Sequence, residues 1–506
     1  MNSAATRTFP WRDALLVGGF ALGLRLLFQA LAHDTFDYDE FVNLVFAQAM
    51  AHGTVPYRDF LLFQPPGALV LLRLVTPLTD WWWPSSRIIM ALADTVSALL
   101  VWRLGVSLFG RRAGLLAGLL YGLSPLALVS GDRVGQDPLI TLLGLAGLTL
   151  LVTRKERGAA ALAGVCLAVA IWVKYPALYF LPLYFLAALR RSPVMIIAAL
   201  VSGLVLFLPF QAEWHALYQQ TIVFQRTRWL MATNQRVETI VLYWLVASPL
   251  ALAGLMLWRR LPLWLPVGFL LGGLFGLTSQ VYYHYFVIVV PFGALLSAPI
   301  LARLSPLNVD PAGAAPSVRP PPAGGLGRLF TASGRRSGAP QYRMDAVSPA
   351  PQGDPAFGPA PTGVPTLPAV LILIGVAVTF VWGELISNGG PSPLYVTAAH
   401  LSNIQPAVSY LQRHTGPGDM VLGDQLEYAY LAQRPAYLRY FWNVGVLIDA
   451  GQLERENKHV RSAVMSYGAS SGYPPGFTGY LDRNGRRFDT SAAAVWILSR
   501  SATHLK

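Results

Sequence analysis

Long apolar runs recur along most of this chain, and they limit what it can fold into more than any other feature. A helix that crosses a bilayer needs about 20 mostly apolar residues, fewer where neighbours shelter its ends. Runs of this kind lie at 13–32, 86–108, 113–130, 137–153, 159–174, 176–189, 194–211, 239–257, 263–279, 285–302 and 367–387. They predict about eleven membrane helices by that length rule, with 176–189 the shortest. Only 12% of the 506 residues are charged, half the ~25% of soluble domains. The first run ends in Ala30-Leu31-Ala32, which resembles a leader cleavage site. Arg25 interrupts its apolar centre and many runs follow, so it reads as a retained helix.

Basic clusters set the topology. Arg7 and Arg12 precede the first run, and Arg111-Arg112, Arg154-Lys155-Glu156-Arg157, Arg190-Arg191, Arg259-Arg260 and Arg303 follow alternate runs. All fall on one side if the helices alternate, and the positive-inside rule makes that side cytoplasmic. The expectation is a multi-pass plasma (inner) membrane protein with a cytoplasmic N-terminus and an extracytoplasmic C-terminus. The net charge of +13 is thus a topological signal, and no nucleic-acid partner is expected. Cys166 is the sole cysteine, so no intrachain disulfide can form.

The predicted fold class is an all-α polytopic membrane protein with outer interfacial helices and a small C-terminal α/β domain. Residues 1–302 form the membrane module. Residues 303–366, rich in Pro, Gly, Ala and Arg, lack apolar periodicity and read as a disordered cytoplasmic loop. After the last run, 388–506 is more polar and extracytoplasmic. There Ile404–Arg413 reads as helix, Met420–Leu422 and Val495–Leu498 as strands, and Gly416-Pro417-Gly418-Asp419 as a turn. It holds no phosphate loop or nucleotide fingerprint.

The first outer loop, 33–85, opens with a dense acidic cluster: Asp34, Asp37, Asp39 and Glu40. Phe41, Leu44, Val45, Gln48 and Ala49 then recur at helical spacing, which predicts a helix lying along the interface. The run 67–78 predicts a second one. A solvated loop is the plain reading of the carboxylates alone. On the same face, however, lies Asp132-Arg133-Val134-Gly135-Gln136-Asp137-Pro138, where Asp137 is also placed to cap a helix starting at Pro138. Cations occur there too, against the charge rule: Arg133, Lys174, Arg226, Arg228 and Arg236, beside His284. Lys174 sits at the outer end of an apolar run, either snorkelling to the interface or functional. Such groups suit an anionic headgroup, and a polyprenyl phosphate fits.

Tyr38-Asp39-Glu40 after the first helix resembles the Asp-Glu motif of the protein O-mannosyltransferase and lipid A aminoarabinose transferase superfamily, which are GT-C membrane glycosyltransferases. Phe46-Ala47-Gln48-Ala49 through Gly53, Pro56-Tyr57-Arg58-Asp59, Gln64-Pro65-Pro66-Gly67, Asp132 through Pro138, Lys174-Tyr175-Pro176 and Tyr283-His284-Tyr285 leading to Pro291 are similar to that family. Val408-Ser409-Tyr410 to Gly423-Asp424 resembles the tail of its bacterial branch. The resemblance covers most of 13–302 and, more loosely, 367–440. The Pro-rich stretch 303–366 departs from it.

The resemblance implies a GT-C fold and a sugar donor on polyprenyl phosphate or diphosphate. Phosphate leaves readily, so one carboxylate base on the acceptor hydroxyl suffices, with cations stabilising the departing phosphate. That predicts an inverting transfer, with Asp39 as base, Glu40 supporting it, and Asp137 and Asp132 orienting the site. Lys174, His284 and Arg228 are the phosphate-binding candidates, and Arg133, Tyr285 and Arg58 further substrate-binding ones. The acceptor is a hydroxyl of a lipid, glycan or protein. Arg25 either reaches the same cavity or forms a buried structural pair. No cofactor is required on this reading; a divalent metal on Asp39, Glu40, Asp137 and His284 is conceivable without a specific signature. The rival readings are a transporter or flippase of lipid-linked sugars, which shares the helices and cations but favours inverted repeats absent here, and a receptor or scaffold acting through the C-terminal domain.

Overall fold

The computed structural model describes residues 11–75, 82–224, 251–255, 261–277, 282–304, 399–423, 425–436, 460–466, 481–483, 485–491 and 493–498, with positions 233, 237, 240 and 241. The expected spans 239–257 (apart from 240, 241 and 251–255) and 367–387, nearly all of the loop 303–366, and Arg226, Arg228 and Arg236 lie outside these.

The chain enters on α1 (Trp11–Leu31) and a two-residue strand β1 (Thr35–Phe36). The two helices expected in the first outer loop follow as α2 (Tyr38–Ala51) and α3 (Gly67–Val75). Then come α4 (Trp82–Phe109), α5 (Arg111–Leu123), α6 (Pro125–Asp132), α7 (Asp137–Thr153), α8 (Arg157–Val173), α9 (Phe180–Ala188), α10 (Ser192–Phe207) and α11 (Trp214–Tyr218). The described parts of the later membrane region are α12 (Ala251–Leu255), α13 (Trp264–Leu270) and α14 (Val290–Leu304).

One expected span is two helices. The run 113–130 breaks at Ser124-Pro125, where α5 and α6 meet at a 58° bend. Proline removes a backbone donor and restricts the residue before it, and Ser124 adopts an extended conformation (ψ 125°). The expected pair 176–189 and 194–211 holds as two passes. Leu189 reverses the chain with φ 45°, and Arg191 then donates to the carbonyls of Arg154 (2.6 Å) and Leu151 (2.8 Å) at the foot of α7.

Among the described residues, the basic clusters at Arg111, Arg154 and Arg191 gather at one end. Arg111 grips Asp13 at the start of α1, at 2.6 and 2.8 Å. Arg191 caps α7 beside Arg154, as above. From there α7 runs 17 residues to Asp137, ~25 Å away at 1.5 Å per residue. The acidic loops therefore lie at the opposite end. Between the ends, helix flanks are unpartnered and apolar. Ile197, Leu200, Val201, Leu204 and Val205 of α10 are exposed, an arrangement that lipid rather than water satisfies.

The C-terminal region opens on strand β2 (Ala399–His400) and helix α15 (Leu401–His414). After β3 (Met420–Gly423) come α16 (Glu427–Leu431), β4 (Val460–Ser466), β5 (Gly485–Asp489) and β6 (Ala493–Leu498). The sheet order is β3-β4-β6-β5, with β3 parallel to β4 and the other pairs antiparallel. The expected helix, strands and turn are all here. Ile404, Ala407, Val408 and Leu411 of α15 pack in a single core with Phe36, Phe41, Leu44, Trp83 and Val134 of the membrane module. The α/β unit is thus seated on the first outer loop.

Candidate active site

Glu40 is the best-connected carboxylate among the described residues. Asp37 caps α2 by accepting the Asp39 amide at 2.9 Å, and Glu40 Oε1 accepts the Asp37 amide at 3.0 Å. This reciprocal cap fixes the first turn. Arg87 donates Nε to Oε2 (2.8 Å) and Nη2 to Oε1 (2.7 Å). Trp83 Nε1 and the Val134 amide donate to Oε2, both at 3.1 Å, and Arg133 Nη1 stands 3.4 Å from Oε1. Burial alone would raise the Glu40 carboxyl, but Arg87, Arg133 and the Asp37 amide outweigh it and lower it to about 2. Glu40 is ionised and only 1% exposed. Its role is to fix the loop.

Asp39, the preceding residue, is exposed. It lies one helical turn before Asn43, on the same face of α2. Asn43 Nδ2 donates to the Val134 carbonyl at 3.0 Å, and Gln136 Nε2 stands 3.5 Å from Asn43 Oδ1. That face of α2 is therefore turned to the loop that ends in Asp137.

Asp137 does not cap α7. Gln136 holds the cap position without a side-chain bond, and both Asp137 oxygens accept Lys174 Nζ at 2.9 Å. Lys174 does not snorkel. It is 5% exposed and leaves the end of α8 inward, where its ammonium also stands 5.3 Å over the Tyr285 ring. The end of α8 is held close to the first outer loop at Gly67, where a Cβ would sit 2.5 Å from the Trp172 carbonyl oxygen. His284 stacks on Tyr282 at 5.5 Å and meets Tyr285 edge-on at 4.8 Å. Desolvation, then the Lys174 charge, push its imidazole down to about 3 against the pull of Asp137. The shift favours the neutral ring, which makes His284 a hydrogen-bonding candidate beside the lysine.

Three other candidates turn out differently. Arg133 is committed to the Glu40 node: Nη1 donates to the Thr35 carbonyl at 2.5 Å and Nη2 to Thr35 Oγ1 at 2.7 Å. Buried and spent on the protein, it is a structural cation rather than a substrate contact. Asp132 is fully buried beside it, with Arg133 Nε 3.4 Å away. Burial raises its carboxyl despite Arg133 and Arg87, and no substrate can reach it to be oriented. Arg25 is a structural pair. It binds Asp94 inside the bundle, with Nε to Oδ2 at 2.5 Å, and Tyr121 donates to the other oxygen of Asp94. Arg25 also donates to the Gly122 carbonyl at 3.3 Å, just before the α5–α6 bend. A Cβ on Gly131 would lie 3.1 Å from Asp94, so the end of α6 rests on this pair. Arg58 remains accessible, paired with its neighbour Asp59 at 2.9 Å.

No group of three His, Cys, Asp or Glu side chains converges as a metal site among the described residues. Within the imagined set, both Glu40 oxygens are already filled by N–H donors. Sequence reasoning overlooked Trp83, Arg87, Asn43, Gln136 and Asp94. A signal existed for two of them: Arg87 and Asp94 are ionisable residues inside the run 86–108, and such residues rarely lack a role.

Residues 63–214 match the sequence pattern of the family described as dolichyl-phosphate-mannose-protein mannosyltransferase. No curated protein matches the chain. Among solved structures, the fold is similar to ArnT from Cupriavidus metallidurans bound to undecaprenyl phosphate, with TM-score 0.58 and 13% identity over 98% of this chain and 100% of that one. The apo ArnT structure gives TM-score 0.59 and 14% identity over 98% and 99% of the two chains. The Archaeoglobus fulgidus oligosaccharyltransferase in its apo form gives TM-score 0.52 and 9% identity over 99% of this chain and 75% of that one. The GT-C fold implied by the sequence motifs is thus the fold of this chain.

Proposed function

We propose that this protein is an inverting glycosyltransferase that moves a sugar from a polyprenyl-phosphate donor to an acceptor hydroxyl at the outer face of the membrane. One observation carries the reading. At the end of the bundle away from the described basic clusters, an exposed carboxylate, Asp39, sits on a rigid turn, and one turn on Asn43 bonds the Val134 carbonyl of the loop that leads to the buried Lys174–Asp137 pair. The positive-inside rule makes that end extracytoplasmic. The similar ArnT structure is bound to undecaprenyl phosphate, which suits a lipid phosphate here.

In this reading Asp39 takes the proton of the acceptor hydroxyl. The acceptor oxygen forms the new bond at the anomeric carbon from the face opposite the phosphate. The bond to the phosphate oxygen breaks with its electron pair, leaving polyprenyl phosphate. Lys174 has three N–H donors, and a phosphate competing for them is stabilised as its charge grows. Glu40, Arg87 and Arg133 keep the Asp39 turn in place, and Tyr285 and neutral His284 line the lysine. Base and cation complete the step without a metal.

The test is transfer in proteoliposomes with a radiolabelled polyprenyl-phosphate sugar. Asp39→Asn should abolish transfer, retain donor binding and keep the wild-type melting temperature. Undiminished transfer would remove Asp39 as the base.

A further inference from the structure

Among the described residues, two of the contacts between the C-terminal α/β unit and the first outer loop lead to the turn that bears Asp39. The first is a short strap. Thr35 and Phe36 pair with His400 and Ala399 in an antiparallel ladder. The Leu401 amide donates to the Asp34 carbonyl at 2.8 Å. His400 Nδ1 and Ser402 Oγ stand 3.3 and 3.4 Å from Asp34 Oδ2. The strand so held is the one whose Thr35 carbonyl accepts from both Arg87 and Arg133. The second contact is aromatic: Tyr430 of α16 meets Phe41 at 5.2 Å, and Phe41 meets Trp83 at 5.2 Å. Trp83 in turn donates to Glu40.

The two cations that grip Glu40 therefore also grip a strand that belongs half to the C-terminal unit. Loosening the strap frees Thr35, and Thr35 is the shared acceptor of Arg87 and Arg133. The carboxylate next in sequence to Glu40 loses its fixed direction.

We infer that the C-terminal unit is a positioning part of the active site, acting through the Ala399–Leu401 strap on the Asp34–Glu40 turn, and this inference rests on the glycosyltransferase reading above. The Leu401 amide, His400 and Asp34 position Asp39. They touch no substrate.

Leu401→Pro tests it cleanly. It removes one donor, the amide that reaches Asp34. Leu401 is the first residue of α15, where proline is favoured, and His400 before it is extended (φ −97°, ψ 138°) as a residue preceding proline must be. Leu401→Ala trims the side chain further yet keeps the amide. Asp34→Ala, at a side chain 40% exposed, removes the His400 and Ser402 contacts without touching the core. Each variant is read in full-length protein by hydrogen–deuterium exchange of residues 33–41 and by transfer kinetics. Leu401→Pro and Asp34→Ala should speed exchange over 33–41 and lower kcat about fivefold, the cost of one hydrogen bond, with donor KM unchanged. Leu401→Ala should match the wild type in both. Unchanged exchange over 33–41 in both strap variants overturns the strap, whatever the enzyme transfers. Faster exchange with an unchanged kcat overturns the positioning role. A wild-type protein that transfers no sugar sinks the glycosyltransferase reading instead, and leaves the exchange result to stand for the strap.

Discussion

Arg87 holds both oxygens of Glu40, at 2.7 and 2.8 Å, and the same guanidinium reaches the Thr35 carbonyl at 2.7 Å. A planar fork makes these contacts at once, and an ammonium cannot. Arg87→Lys should therefore cut transfer at least tenfold while donor binding persists. Arg87→Met should destabilise the fold by ~3–5 kcal/mol, the cost of removing one partner of a buried ion pair. Thermal melting in detergent and transfer kinetics check both.

The pH dependence of Glu40 has a defined sign. Its carboxyl falls from 4.5 to about 2 on folding. A depressed acid stabilises the native state above its unfolded value and loses that contribution as pH falls through the folded one. Stability should drop between pH 4.5 and pH 2, and Glu40→Gln should flatten that limb of the melting profile while lowering stability at pH 7.

His284 acts over a different window. Its imidazole falls from 6.5 to about 3 in the folded protein. Between these values the unfolded chain binds the extra proton, so stability rises with pH. His284→Asn should lessen acid sensitivity between pH 6.5 and pH 3. A transfer profile with an inflection near 6.5 that His284→Asn abolishes would contradict a neutral ring.

The Lys174–Asp137 pair separates structural from binding roles. Lys174→Ala leaves Asp137 buried without its cation, so it should lower both melting temperature and donor affinity. Lys174→Ala with Asp137→Asn should recover most of the stability and none of the affinity. Recovery of both would make Lys174 a purely structural partner.

Arg25 and Asp94 invite the opposite experiment. Either one alone changed to alanine should cost ~3–5 kcal/mol. Arg25→Met, Asp94→Leu and Tyr121→Phe together replace the buried polar cluster with apolar groups of similar size, and a well-packed replacement is often neutral or stabilising. The triple variant should melt near the wild type.

Much of this was legible in the sequence, for reasons that differ by element. Spans such as 137–153 coincide with α7 because apolar length is a direct record of the bilayer. That the described basic and acidic loops lie at opposite ends of the bundle was legible because charge follows topology. Asp39, Asp137 and Lys174 stood out as ionisable groups beside apolar runs. What could not be read was which of them are spent on one another. Glu40 and Asp39 are adjacent and chemically alike, yet one is a buried clasp and the other is exposed, and helix phase against Arg87 and Val134 decides which. Likewise Arg133 looked like an anion site until Thr35 and Glu40 were seen to occupy it. The C-terminal unit was predicted as a separate domain, since its core partners Phe36, Phe41 and Trp83 lie more than 300 positions away in the chain.

The kink at Ser124-Pro125 has a consequence for how this chain reads its surroundings. All eight residues of α6 are buried, so hydrocarbon never meets them. Irregular backbone at membrane depth is tolerated only under such cover. The greasy character of 125–132 therefore answers to neighbouring side chains, not to solvent of any kind. A hydropathy profile, blind to that distinction, reads the bent pair as one straight helix. Polar replacements along α6 would be punished through misfit at the shelf that carries Asp132 and Arg133, while insertion of the chain into the bilayer proceeded as before.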